Sequence, residues 1–203
     1  SVWSNGTTEM HGAISARGDK GAGGRIETSG KRIKVEGKID AGKGGLWLLD
    51  PDDLDIDAGL ASTISSTLEG GANVTQQTTE SGSGGSGDIT VSSDILWTSS
   101  ASLTLSAYRN ITVSAAIASS GGGGVELRAD NTGNGTGAVT FDSGGSIATT
   151  GNVDILYNPL VYSAPLNYVP YVTAGTMNAY MLVNDVDQLQ AMNTNISGHY
   201  ALG

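Results

Sequence analysis

Eight residues, Asp50-Pro51-Asp52-Asp53-Leu54-Asp55-Ile56-Asp57, hold five carboxylates. Alternate residues of a strand share a face. Asp53, Asp55 and Asp57 would therefore line one side of an extended segment and offer the oxygen ligands that calcium takes. The glycine of an EF-hand loop falls one place late here, and no glutamate stands at the twelfth position. A solvated strand face, with Leu54 and Ile56 turned into a core, explains the same pattern without a metal and is preferred. Paired carboxylates beside Arg or Lys can also cleave sugars. Only Arg109 and Arg128 lie in the middle of the chain, about one repeat apart, where they could stack. His11 and His199 sit near opposite ends, so no Ser/His/Asp triad is supported.

Other short motifs carry less. Arg17-Gly18-Asp19 is an integrin-type tripeptide, and Gly18 favours a turn that would present it. Asn5, Asn73, Asn110, Asn134 and Asn195 each open an Asn-X-Ser/Thr sequon and are glycosylation candidates. Asn110 suits a second role, as one rung of an asparagine ladder between stacked turns. Gly21-Ala22-Gly23-Gly24 lacks the Gly-Lys-Ser/Thr of a phosphate loop. Trp47 and Trp97 lie in apolar runs and read as packing residues. No cofactor is indicated.

Composition narrows the classes. The chain has 203 residues, no cysteine and a net charge of −10, which disfavours nucleic acid as a partner. Without cysteine there is no disulfide, thiolate zinc site or thiol nucleophile. The charge is uneven. Residues 1–43 hold eight basic against five acidic side chains, and the remainder holds Arg109, Arg128 and fifteen acids. Glycine reaches 31 residues, and Ser with Thr reaches 43, which opposes an all-helical chain.

The elements that must position these groups are short strands. Ile33-Lys34-Val35, Leu54-Asp55-Ile56, Ile89-Thr90-Val91, Leu103-Thr104-Leu105, Ile111-Thr112-Val113, Val125-Glu126-Leu127, Val139-Thr140-Phe141 and Val153-Asp154-Ile155 each place a polar residue between two apolar ones. Strands of this length do not stand alone as hairpins. They hold if each stacks on the next turn of a coil. Asp88-Ile89-Thr90-Val91 returns as Asn110-Ile111-Thr112-Val113, and Leu103-Thr104-Leu105 as Val125-Glu126-Leu127, both after 22 residues. The fold class is therefore all-β, a parallel β-solenoid, with glycine corners such as Gly121-Gly122-Gly123-Gly124. The alternative is a sandwich of short strands.

Two short helices interrupt it. One spans Ser62 to Leu68, capped by Ser62 and stopped by Gly70-Gly71, and the Gly/Ser run 81–87 follows as a flexible loop. The second starts from a capping box, Asp185 with Gln188, and turns Val186 and Leu189 inward. The coils thus occupy 1–157, with the helix and loop at about 60–87. Residues 158–203 form an irregular Pro/Tyr-rich segment and a short helix leading to a further coil.

Three segments in order, Ile14-Ser15-Ala16-Arg17-Gly18, Gly23-Gly24-Arg25-Ile26-Glu27-Thr28-Ser29-Gly30-Lys31 and Gly44-Gly45-Leu46-Trp47-Leu48-Leu49-Asp50-Pro51, resemble a block of the large two-partner-secretion exoproteins. These are the filamentous-haemagglutinin-like and high-molecular-weight-adhesin-like proteins of Gram-negative bacteria. The end, Leu182-Val183-Asn184 through Leu189-Gln190-Ala191 to Gly198-His199-Tyr200-Ala201-Leu202, is similar to a recurrent segment of the same proteins. The resemblance implies a right-handed parallel β-helix, secreted to the cell surface through an outer-membrane transporter, with a role in adhesion or biofilm. It implies glycosylated sequons in some members and no catalytic residues. The family's secretion domain, with its Asn-Pro-Asn motifs, is missing, so the chain reads as an internal piece. Asp19 departs from the family's Ala-Arg-Gly-Gly.

The sequence-level expectation is a structural and adhesive rod, not an enzyme, whose host-cell or matrix ligand the sequence does not name. The alternative is a carbohydrate-binding or polysaccharide-degrading β-helix. Unpaired edges at the ends of such a stack would favour end-to-end self-association.

Overall fold

The computed structural model describes residues 1–18, 20, 23–79 and 85–203. The chain winds as a parallel β-solenoid of about seven turns. The strands fall on three faces, visited in the same order, with a helix or an irregular segment standing in for a strand in some turns.

The first face stacks β1 (Val2–Met10), β3 (Arg25–Val35), β5 (Leu46–Asp50), β7 (Asn73–Gln77), β10 (Leu103–Ser106) and β13 (Val125–Arg128). The second halves of β15 (Ser146–Tyr157) and β16 (Val172–Val183) follow, and β17 (Tyr200–Leu202) pairs with the end of β16. The second face is β6 (Leu54–Ile56), β8 (Ile89–Val91), β11 (Ile111–Val113) and β14 (Val139–Phe141). The third holds the pair β2 (Ala13–Ser15) and β4 (Lys38–Asp40). Farther along it lie β9 (Ile95–Trp97), β12 (Ala116–Ser119) and the first half of β15. All pairings are parallel.

The 22-residue repeat is real in space. Ile89 sits opposite Ile111, and Leu103 opposite Val125. The inward residues form columns. On the first face one column runs Ile26, Trp47, Val74, Leu103, Val125, Val153, and these are buried throughout. Trp47 and Trp97 are core residues. In the glycine corner, only Gly122 has a left-handed φ, of +87°. A Cβ on Gly121 or Gly123 would strike the carbonyls of Thr98 and Ala101 in the turn below, so close approach explains those two.

Helix α1 (Ala58–Glu69) begins four residues before the expected start. Its cap is Asp57, whose Oδ1 accepts from the Leu60 N–H at 2.9 Å, not Ser62. The helix replaces a strand on the third face, between β4 and β9. Thr63 and Thr67, one turn apart, donate to the carbonyls of Gly37 and Ile39 at 3.2 Å. Ser65 and Glu69, on the opposite side, accept from the N–H groups of Leu96 at 3.0 Å and Thr98 at 2.7 Å. Both exposed ladder edges are therefore satisfied by side chains.

Helix α2 (Val186–Ala191) has the expected cap, with Asp185 accepting from the Gln188 N–H at 2.7 Å. Its orientation differs from expectation, because Val186 and Leu189 are exposed. The irregular stretch 158–171 closes the second face. The Tyr168 hydroxyl donates to the Val139 carbonyl at 3.1 Å, and Tyr157, Tyr168, Phe141 and Tyr171 pack ring to ring. The twelve-residue strand β16 that follows is a strand the sequence pattern does not signal.

Candidate functional site

Stacking in register turns outward residues into files, just as it turns inward ones into columns. On the outer side of the first face, Thr104, Glu126, Asp154 and Asn178 occupy successive turns. Arg128 lies two residues beyond Glu126 on the same side, in the file that continues through Leu156 to Tyr180. The Asn178 amide donates to Asp154 Oδ1 at 2.8 Å and fixes that carboxylate. Burial pushes the Glu126 carboxyl above its ordinary value, the charge of Asp154 adds to the rise, and Arg128 opposes both. Tyr180 and the imidazole of His199 lie 6.1 Å apart, centre to centre, at the end of this strip.

Here the described residues bring two carboxylates and an arginine to the outer side of one sheet face. Two neighbouring carboxyl groups, one of them held above its ordinary value, suit hydrogen bonding to sugar hydroxyls, and acid–base chemistry where a substrate is held. The strip is a sheet face. The larger open clefts lie elsewhere. One of about 470 Å³ is lined by Lys31, Arg32, Asp52 and Asp53, and one of about 560 Å³ by Lys43, Glu69 and Asn73. The 28-residue offset between Glu126 and Asp154 conceals the pair from a scan tuned to 22 residues.

The residues singled out in the sequence are placed apart. Asp53, Asp55 and Asp57 are exposed and alternate with buried Leu54 and Ile56. Asp53 accepts from the Ser86 N–H at 2.8 Å, Asp55 from the Ser92 hydroxyl at 2.6 Å, and Asp57 caps α1. Among the described residues no three His, Asp or Glu side chains converge as a metal cage. Arg109 and Arg128 do not stack. Arg128 follows Ser106 in its file, whereas Arg109 lies beyond β10 and grips Asp88 with bonds of 3.0 and 2.7 Å. Burial pushes Asp88 up, but the bonds from Arg109 and the Asn110 N–H outweigh it and hold the carboxyl below its ordinary value. Arg17 is exposed and turns back onto Asp40 at 2.9 Å. Asp19 of the tripeptide lies outside the described residues, as do residues 81–84 of the Gly/Ser run.

The sequons divide by geometry. Asn5, Asn73 and Asn134 are exposed. Asn110 is not a rung of an asparagine ladder, because Asp88 and Ala138 take the equivalent places in the neighbouring turns; its Oδ1 accepts from the Ala138 N–H at 3.0 Å. The Asn195 amide nitrogen donates to the Tyr162 carbonyl at 3.2 Å.

No protein-family model, no curated protein and no solved structure matches the chain.

Proposed function

We propose that the chain is a structural and adhesive module of a large secreted exoprotein of the filamentous-haemagglutinin-like kind. In this reading it is exported through an outer-membrane partner and displayed at the cell surface, acting by binding and not by catalysis. The observation that carries the reading is the in-register stack. Seven turns, spaced at about 4.8 Å, give a rod roughly 34 Å long that needs no metal, cofactor or disulfide to hold it. Such a body presents a long continuous surface, along which weak contacts act together. Its acidic character disfavours anionic partners.

The Glu126–Asp154–Arg128 strip favours a second reading, in which the face engages polysaccharide. One experiment addresses both. The purified chain is applied to host-cell monolayers and extracellular matrix, and separately incubated with acidic polysaccharides. Saturable binding without release of reducing ends is expected. Absence of binding to every surface would remove the adhesive reading. Polysaccharide turnover that Glu126→Gln abolishes would replace it with the enzymatic one.

A further inference from the structure

The loop 129–138 between β13 and β14 is arranged around a single carboxylate. Asp130 is fully buried and, alone among the described non-glycine residues, has a left-handed backbone, with φ of 55°. Its Oδ1 accepts from the Asn134 N–H at 2.8 Å, and its Oδ2 from the Gly135 N–H at 2.8 Å and the Asn158 amide at 2.9 Å. The Asn134 side chain is held as well. Its Oδ1 accepts from the Thr136 N–H at 2.9 Å and from the Thr136 hydroxyl, and its Nδ2 faces Thr132 Oγ1 at 3.4 Å.

These are the parts of an acyl-transfer site. Gly135 N would be the nucleophile, and glycine carries no Cβ to crowd its attack. The Asp130 carboxylate touches its proton within the reach of a general base. Two donors converge on the amide oxygen that becomes anionic in the tetrahedral intermediate, as in an oxyanion hole. We propose that Asn134-Gly135 is a self-modification site, at which Asp130 and Thr136 promote conversion of the Asn134 amide to a carboxylate.

The steps balance without an added reagent other than water. Gly135 N attacks Asn134 Cγ and its proton passes to Asp130. The charge on Oδ1 is held by Thr136. The Cγ–Nδ2 bond then breaks, and ammonia leaves with the proton that Asp130 returns. Water opens the resulting succinimide to aspartate or isoaspartate at position 134. The product adds a negative charge to an exposed loop, and it destroys the sequon, because Nδ2 is the atom a glycan would need.

The chain carries its own comparison. Asn5-Gly6 on β1 has the same dipeptide, but there the Gly6 N–H donates to the Ser4 hydroxyl, at 3.3 Å, in place of a carboxylate. The test uses the full chain made without glycans and held folded at neutral pH, with peptide mass mapping and isoaspartate detection over time. Asn134 is expected to convert at least about tenfold faster than Asn5, a modest share of what a positioned base supplies. Thr136→Val, at an exposed position, should slow only Asn134, and Thr136→Ser should restore it. Asp130→Asn should also slow it, provided the variant keeps its melting transition. Equal rates at Asn134 and Asn5 would overturn the proposal. So would a rate at Asn134 that Thr136→Val leaves unchanged.

Discussion

Gln76 is expected to weaken the rod. It is fully buried on the first face, with Leu49 opposite in the turn below and Leu105 in the turn above. Neither its Oε1 nor its Nε2 has a hydrogen-bond partner among the described residues. An unsatisfied buried donor or acceptor costs about 1–3 kcal/mol, whereas an apolar group of the same shape costs nothing in desolvation. Gln76→Leu continues the leucine column and removes both orphaned groups. Gln76→Met keeps the unbranched shape and guards against a packing clash. Allowing for imperfect fit, the better variant should gain about 2 kcal/mol, which for a chain of this size raises Tm by about 4–8 °C. Gln77→Leu, half-buried and pointing outward, should change Tm little. Calorimetry on the three variants decides the matter. If both Gln76 variants melt below the parent while Gln77→Leu does not, the amide is satisfied inside the stack and the reasoning fails.

Two further outcomes follow from the same contacts. Ile111→Ala empties a fully buried place between Ile89 and Val139 and should cost about 2–5 kcal/mol in a denaturant titration, against little for the neighbouring outward Thr112→Ala. Glu69 accepts from the Thr98 hydroxyl at 2.7 Å and from its N–H, and these bonds hold its carboxyl below the ordinary value. A folded-state pKa below the unfolded one contributes stability above the unfolded value, and this is lost as pH falls through the folded one. Melting curves across the acid range should show Glu69→Gln with a shallower acid loss than the parent. An identical profile would mean that the bond to β9 carries no weight.

What was legible in the sequence was whatever repeats with period two. Ile89-Thr90-Val91 and its partners announced strands, their faces and their register, because burial on one side fixes alternation. Less legible were elements whose role depends on a neighbouring turn. Asp57 looked like one acid of a row, and only the helix beginning at Ala58 makes it a cap. In β16 the apolar residues do not alternate cleanly, so periodicity was silent where pairing to β15 was not. Val186 and Leu189 have inward-facing spacing, yet α2 turns them to solvent. The Glu126–Asp154 pair required the turn length around it, 28 residues, which no local pattern states. Gln76 is polar in sequence and central in space, and nothing on either side of it in the chain foretells that.

The variation in turn length has a consequence for where function resides. The short strands of the middle turns keep register, while the segments that leave the first face range from the three residues 51–53 to the long 129–138 and 158–171. A solenoid absorbs such insertions because each turn needs only its ladder bonds and its inward residues. Where a turn abandons the strand, side chains take over the ladder. Thr63, Thr67, Ser65 and Glu69 do so in α1, and Tyr168 does so against Val139. One corner is therefore free to change without loss of the rod. That corner holds Asp130, Asn134 and the tyrosine-rich loop, while the first face offers the carboxylate strip as a regular surface. Loops on a rigid scaffold are where recognition concentrates. Chimeras that exchange 129–138 or 158–171 should thus alter binding while leaving the melting of the stack close to the parent's, provided Tyr168 or an equivalent still covers β14.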